Sequence, residues 1–130
     1  MAALQVLLSL WNAGTHQQAV DMLIPIMLRC SPGSTEVDIR RRLHFHADGR
    51  LQHWNLHGCA LTALPEEFGT VRTTGELRLY GNQIASLPES FGRIAVGRHL
   101  YLKYNGRDMG PAMGEAAALC YPNVKGTVHK

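Results

Sequence analysis

The strongest constraint on this chain is a self-similarity at a step of 23 residues. Trp54, Leu77 and Leu100 share one phase of it, and Leu56, Leu79 and Leu102 share another. Cys59, Asn82 and Asn105 follow, then the pairs Leu61/Ile84, Leu64/Leu87, Pro65/Pro88, Glu66/Glu89, Phe68/Phe91 and Gly69/Gly92. A unit this short cannot hide its apolar side alone, so neighbouring units have to stack. Within a unit, a run such as ELRLY alternates apolar and polar residues, which predicts a short strand with one buried face. The Asn that follows suits a turn, because its amide bonds backbone groups that stacking would otherwise leave unpaired. The Leu-Pro pair leaves the ladder, and Phe68 and Phe91 are expected to close the outer side of each unit.

The stretches LQHWNLHGCALTALPEEFG and GELRLYGNQIASLPESFG resemble leucine-rich repeats, with Cys59 and Asn82 in the slot that this family fills with Asn or Cys. The resemblance covers residues 51–105. Beyond them Arg107 takes the Ile84 slot and Gly110 the Leu87 slot, while Pro111 keeps the Pro slot. The fold class implied is α/β: a leucine-rich-repeat solenoid with short parallel strands on its concave face, closed by a degenerate terminal repeat. The expected regions are residues 1–42 as a helical N-terminal cap, 43–110 as the repeats with an N-terminal β-hairpin, and 111–130 as degenerate repeat, C-terminal cap and tail.

The ends of a stacked array need covering. Asp48-Gly49 between two alternating runs is a hairpin signal. It predicts an antiparallel strand over residues 43–46, with His44 opposite His53. Residues 4–11 and 15–28 carry helical apolar spacing, broken at Ala13-Gly14. Thr15 with Gln18 reads as a capping box, and Pro25 is expected to kink or end the second helix. After Ser31-Pro32-Gly33, residues 34–43 suggest a short helix capped by Ser34 or Thr35, with Arg40, Arg41 and Arg42 on a solvated face. A last helix is expected from Pro111 to before Pro122, followed by a frayed tail.

Composition narrows the function classes. The 130 residues, 45% apolar and 18% charged, suffice for one folded domain. A net charge of +3 without a dense basic stripe argues against nucleic acid as partner. Cys30, Cys59 and Cys120 form neither a disulfide framework nor a zinc ribbon, which points to a reducing, cytoplasmic setting. The apolar start lacks the positive region of a signal peptide, and no run reaches the length of a membrane span. Neither a G-x-S-x-G elbow, nor a phosphate-cradling loop, nor an H-E-x-x-H pair occurs, so no enzyme activity and no cofactor are expected.

With parallel strands in register, alternate polar residues form three columns on one face: His53, Glu76 and His99; Asn55, Arg78 and Tyr101; His57, Tyr80 and Lys103. In the family that these repeats resemble, this concave face binds proteins or peptides. The resemblance therefore implies a protein-protein interaction module, a scaffold, with these nine residues contacting the partner. Two alternatives stand beside it. One is a fragment of a longer repeat protein with a purely structural role. The other is a histidine-based metal surface at His44, His53, Glu76 and His99, which the splay of side chains across a sheet disfavours, so that no metal residue is assigned. Glu76 between two histidines is expected to favour their protonated forms.

Overall fold

The computed structural model describes residues 2–84, 87–102, 124–126 and 128–129. Two helices open it, α1 (Ala2–Asn12) and α2 (His16–Cys30), followed by a one-turn α3 (Glu36–Arg40). Seven short strands come next: β1 (Leu43–Phe45), β2 (Leu51–Asn55), β3 (Arg72–Thr73), β4 (Leu77–Arg78), β5 (Ala95–Val96), β6 (Leu100–Tyr101) and β7 (Val128–His129). Five of them form a mixed sheet in the order β1-β2-β4-β6-β7, and β3 pairs with β5 in a separate ribbon. Two 3-10 turns, Glu66–Thr70 and Glu89–Arg93, follow the two Leu-Pro pairs.

The sequence step sets the ladder. Trp54 pairs in parallel with Leu77 and Leu77 with Leu100, while Leu56 N–H donates to the Arg78 carbonyl and Leu79 N–H to the Tyr101 carbonyl, each at 2.8 Å. Leu56 and Leu79 are wholly buried and Leu102 nearly so. Phe68 and Phe91 stack almost parallel, ring centroids 6.3 Å apart, on the far side of the core. β1 runs antiparallel to β2 with His44 opposite His53.

This arrangement corrects the expectation of a leucine-rich-repeat solenoid with a concave face. The described residues form a small α/β unit with three helices and a mixed sheet. In an open array each coil touches only its neighbours. Here α1 packs on both α2 and the first 3-10 turn, and one continuous core joins Leu7, Leu23 and Ile24 of the helices to Trp54, Phe68, Leu79 and Phe91. The helices supply so much of the interior that the stacked segments become one wall of a single core.

Local departures have local causes. Thr15 makes no side-chain cap; its hydroxyl donates back to the Leu10 carbonyl at 2.9 Å, tying the interhelix turn instead. Helix α2 continues through Pro25 to Cys30. Thr35 caps α3 by accepting from Asp38 N–H, while the Ser34 hydroxyl donates to the Cys59 carbonyl at 2.8 Å and fastens this segment to the turn after β2. The arginine run is only partly a solvated face: Arg40 bridges Asp21 and Glu36, Arg41 pairs with Asp38, and Arg42 is half-buried. The expected frayed tail instead adds β7 beside β6, and Val124 bridges Val96. Glycine permits that approach, since a Cβ on Gly126 would lie 2.1 Å from the Arg98 carbonyl oxygen. The helix expected at residues 111–121 and the slots at Asn105, Arg107, Gly110 and Pro111 lie outside the described residues, as does Cys120.

One buried polar contact joins helices to sheet. His16, 4% exposed, reaches the Trp11 carbonyl through Nε2 at 3.0 Å and accepts Leu51 N–H at Nδ1 at 2.7 Å. Burial pushes its pKa down; the Trp11 hydrogen bond and Asp48 oppose this, and Arg50 and Arg72 reinforce it. The neutral ring satisfies both contacts, whereas a protonated ring would set N–H against the Leu51 N–H. Because the folded pKa lies below the unfolded value of about 6.5, the stabilisation is complete above that pH and is lost as pH falls towards the folded pKa. Urea unfolding is therefore expected to show stability dropping from pH 7.5 to 5.5. His16→Ala is expected to reduce that slope, leaving the part that His53 contributes, and to cost about 1 to 3 kcal/mol at pH 7.5 by orphaning Leu51 N–H. An unchanged slope in the variant would refute this assignment.

Candidate functional site

The face of the sheet turned away from the core is built by alternation. Trp54, Leu77 and Leu100 point inward and are wholly buried, so their neighbours Asn55, Arg78 and Tyr101, paired across β2, β4 and β6, point outward and stay half-exposed. His53, Glu76, Tyr80 and His99 are likewise half-exposed, and His57 is exposed. Eight of the nine residues singled out from the sequence thus escape burial on neighbouring strands, while Lys103 lies outside the described residues.

Six of them make a continuous set of contacts. His57 stacks on Tyr80, centroids 4.2 Å apart and planes 22° from parallel, and Tyr80 lies 6.1 Å from Tyr101. The Arg78 guanidinium sits 5.0 Å from the Tyr101 ring centre, within cation-π range. Arg78 Nη2 and Nε donate to Glu76 Oε1 at 2.6 and 2.9 Å. His99 meets Tyr101 edge-on at 6.2 Å. Asn55 serves its own strand end, its Oδ1 accepting from His57 N–H at 3.2 Å.

His53 faces a second feature. Its Nδ1 accepts Glu76 N–H at 2.9 Å, which leaves the ring proton on Nε2. Gly75 is required there, because a Cβ at that position would lie 2.3 Å from the His53 ring. Together with His46, Arg50, Gln52, Thr74 and Arg98, these residues line a cleft of about 380 Å³ where β2, β4 and β6 begin. His46 Nε2 contacts the Thr74 hydroxyl. The three-column reading of the sequence missed this cleft, yet its signal was present: Gln52, Gly75 and Arg98 stand at the same 23-residue step, one place before the first column.

Electrostatics differ from the simple expectation at His53. Burial lowers its pKa and outweighs the opposing pull of Glu76, with His44, Arg78 and Arg98 adding to the depression. At Glu76, burial acts upward, but the hydrogen bonds and charge of Arg78, helped by His53 and His99, hold the carboxyl below its ordinary value. The Glu76 hydrogen bonds in turn raise Arg78 against its burial. Both groups of the pair are therefore ionised at neutral pH. Burial pushes the Cys59 thiol up, and Arg42 and Arg41 do not reverse it, so this sulfur is a packing group.

Among the described residues, no cluster of three or more His, Cys, Asp or Glu side chains is arranged to hold a metal ion. His44 and His53 face each other edge-on with centroids 6.3 Å apart. No described helix is long and apolar enough to cross a membrane. Compared with protein-family models, with curated proteins and with solved structures, the chain finds no match.

The opposed influences on His53 are separable. An NMR titration of its imidazole is expected to give a midpoint below that of a free histidine, and Glu76→Gln is expected to move it lower still. A midpoint that rises in the variant would contradict the sign given to Glu76.

Proposed function

We propose that this protein is an interaction module that binds a protein or peptide through the exposed face of its sheet. The observation that supports the reading best is the chain His57–Tyr80–Tyr101–Arg78, in which aromatic rings and a guanidinium are held against one another on short strands. Tyr and Arg are the side chains that most often anchor interfaces, since they contribute large contact area and directional polar atoms at modest entropic cost. The Glu76 carboxylate holds Arg78 in place, and wholly buried Leu77 and Leu79 beneath keep the strand rigid, so little ordering remains to be done on binding. The resemblance of the 23-residue units to leucine-rich repeats supports a protein or peptide as the partner class.

The proposed role is recognition without chemistry. The rings lie on an open face, whereas catalysis calls for a pocket that excludes water around paired acids and bases. Cys30 and Cys59 are free thiols, in keeping with the reducing, cytoplasmic setting proposed from the sequence.

Affinity capture with quantitative comparison tests the reading. The triple variant Arg78→Ala/Tyr80→Ala/Tyr101→Ala is expected to lose a partner that the wild type retains. The single change Arg78→Ala is expected to alter stability by less than about 1 kcal/mol, because the Glu76 pair is partly solvated. Leu79→Ala, truncating the core one residue away, is expected to cost about 2 to 5 kcal/mol. If the triple variant keeps every wild-type partner at unchanged affinity, the binding face lies elsewhere.

A further inference from the structure

The cleft at the start of β2, β4 and β6 is chemically one-sided. Among the described residues, its lining carries two guanidinium groups, Arg50 and Arg98, and no carboxylate. Arg98 is exposed, two residues before the start of β6, and has no ion-pair partner among the described residues. Its backbone is nevertheless anchored, because Arg98 N–H donates to the Gly75 carbonyl at 2.9 Å. Arg50 pairs with Asp48 at 2.9 Å in the hairpin turn, with both side chains about half-exposed, and an exposed pair of this kind yields readily to a stronger anion.

Neutral donors complete the lining. With Nδ1 taken by Glu76 N–H, the ring proton sits on His53 Nε2, which makes no hydrogen bond of its own among the described residues. The Gln52 amide and the Thr74 hydroxyl, the latter in contact with His46, stand on the same wall. Two cations and several neutral donors distributed around one space match a tetrahedral dianion better than a planar carboxylate, which a single arginine satisfies in a bidentate manner.

We propose that this cleft binds a phosphoryl group, with Arg98 and Arg50 as its charge partners and His53 Nε2–H, Gln52 and Thr74 as orienting donors. The site stands apart from the aromatic ridge and does not depend on that ridge having a partner. A phosphoryl group reaches it either as free inorganic phosphate or carried on a phosphorylated side chain.

The imidazole resonances of His46 and His53 provide the readout at constant ionic strength and pH 7.5, with His57 at the opposite end of the face as internal control. Inorganic phosphate, a short phosphoserine peptide and acetate are titrated in separate arms. Saturable shifts at His46 and His53 with phosphate or the phosphopeptide, and not at His57, are the expected result. The tighter of these two ligands identifies the source of the group. Arg98→Gln, an exposed change checked for folding by circular dichroism, is expected to weaken binding about tenfold through loss of one charge-assisted contact. Asp48→Asn, which keeps the turn acceptor but releases Arg50, is expected to tighten it. Absence of saturation in both phosphoryl arms, equal binding of acetate, or unchanged affinity in the Arg98 variant would each overturn the proposal.

Discussion

The carboxamide of Asn82 closes the hydrogen-bond account of the two turns on which the sheet rests. Its Oδ1 accepts from Cys59 N–H at 3.0 Å and Leu61 N–H at 3.1 Å, and its Nδ2 donates to the Leu56 and Leu79 carbonyls, each at 2.9 Å. The residue is 3% exposed, so water is not available to replace it. Backbone groups buried without partners cost about 1 to 3 kcal/mol each. One planar amide with two acceptor lone pairs and two donors answers four of them, belonging to two segments 23 residues apart. Ser31 does similar work nearby: its hydroxyl donates to the Ala63 carbonyl and accepts from Thr62 and Ala63 N–H, joining the end of α2 to the segment leading into the first 3-10 turn.

Once the turns are satisfied, the remaining architecture follows from burial. Leu61 and Ile84 enter the core beside the turns, and Phe68 and Phe91 stack behind them. The helices cover the end of this stack, with His16 and Ser31 as polar contacts in a largely apolar junction. Among the described residues, no helix covers the opposite surface of the sheet. It therefore carries the polar half of each alternating strand, and there the aromatic ridge and the basic cleft lie at different ends of the same strands. Stability and the proposed recognition use opposite faces of the sheet, through residues that are adjacent in sequence.

The step of 23 carried the lateral neighbours, because register depends on the phase of each apolar residue and phase is visible in a string of letters. The pairing of Trp54 with Leu77 and Leu100, and the turn role of Asn82, are of this kind. The hairpin signal at Asp48-Gly49 was equally local. Global closure was not legible, since the periodicity of α1 and α2 says that they bury a face without saying against what; their docking onto the 3-10 turn makes a compact α/β unit where an open array was expected. Thr15 showed the same limit, its capping-box spacing being overridden by a nearer carbonyl. At the site, charge signs were readable but their balance was not. The depression of His53 comes from burial, which Gly75 and the neighbouring strands impose, and it prevails over the opposing pull of Glu76.

Native-state hydrogen exchange at the Cys59 and Leu61 amides tests the central role of Asn82 most directly. In the wild type both amides are expected to exchange only with global unfolding, and in Asn82→Ala both are expected to exchange far faster than the ladder amides of Leu56 and Leu79. Unaltered protection of Cys59 and Leu61 in that variant would contradict the account.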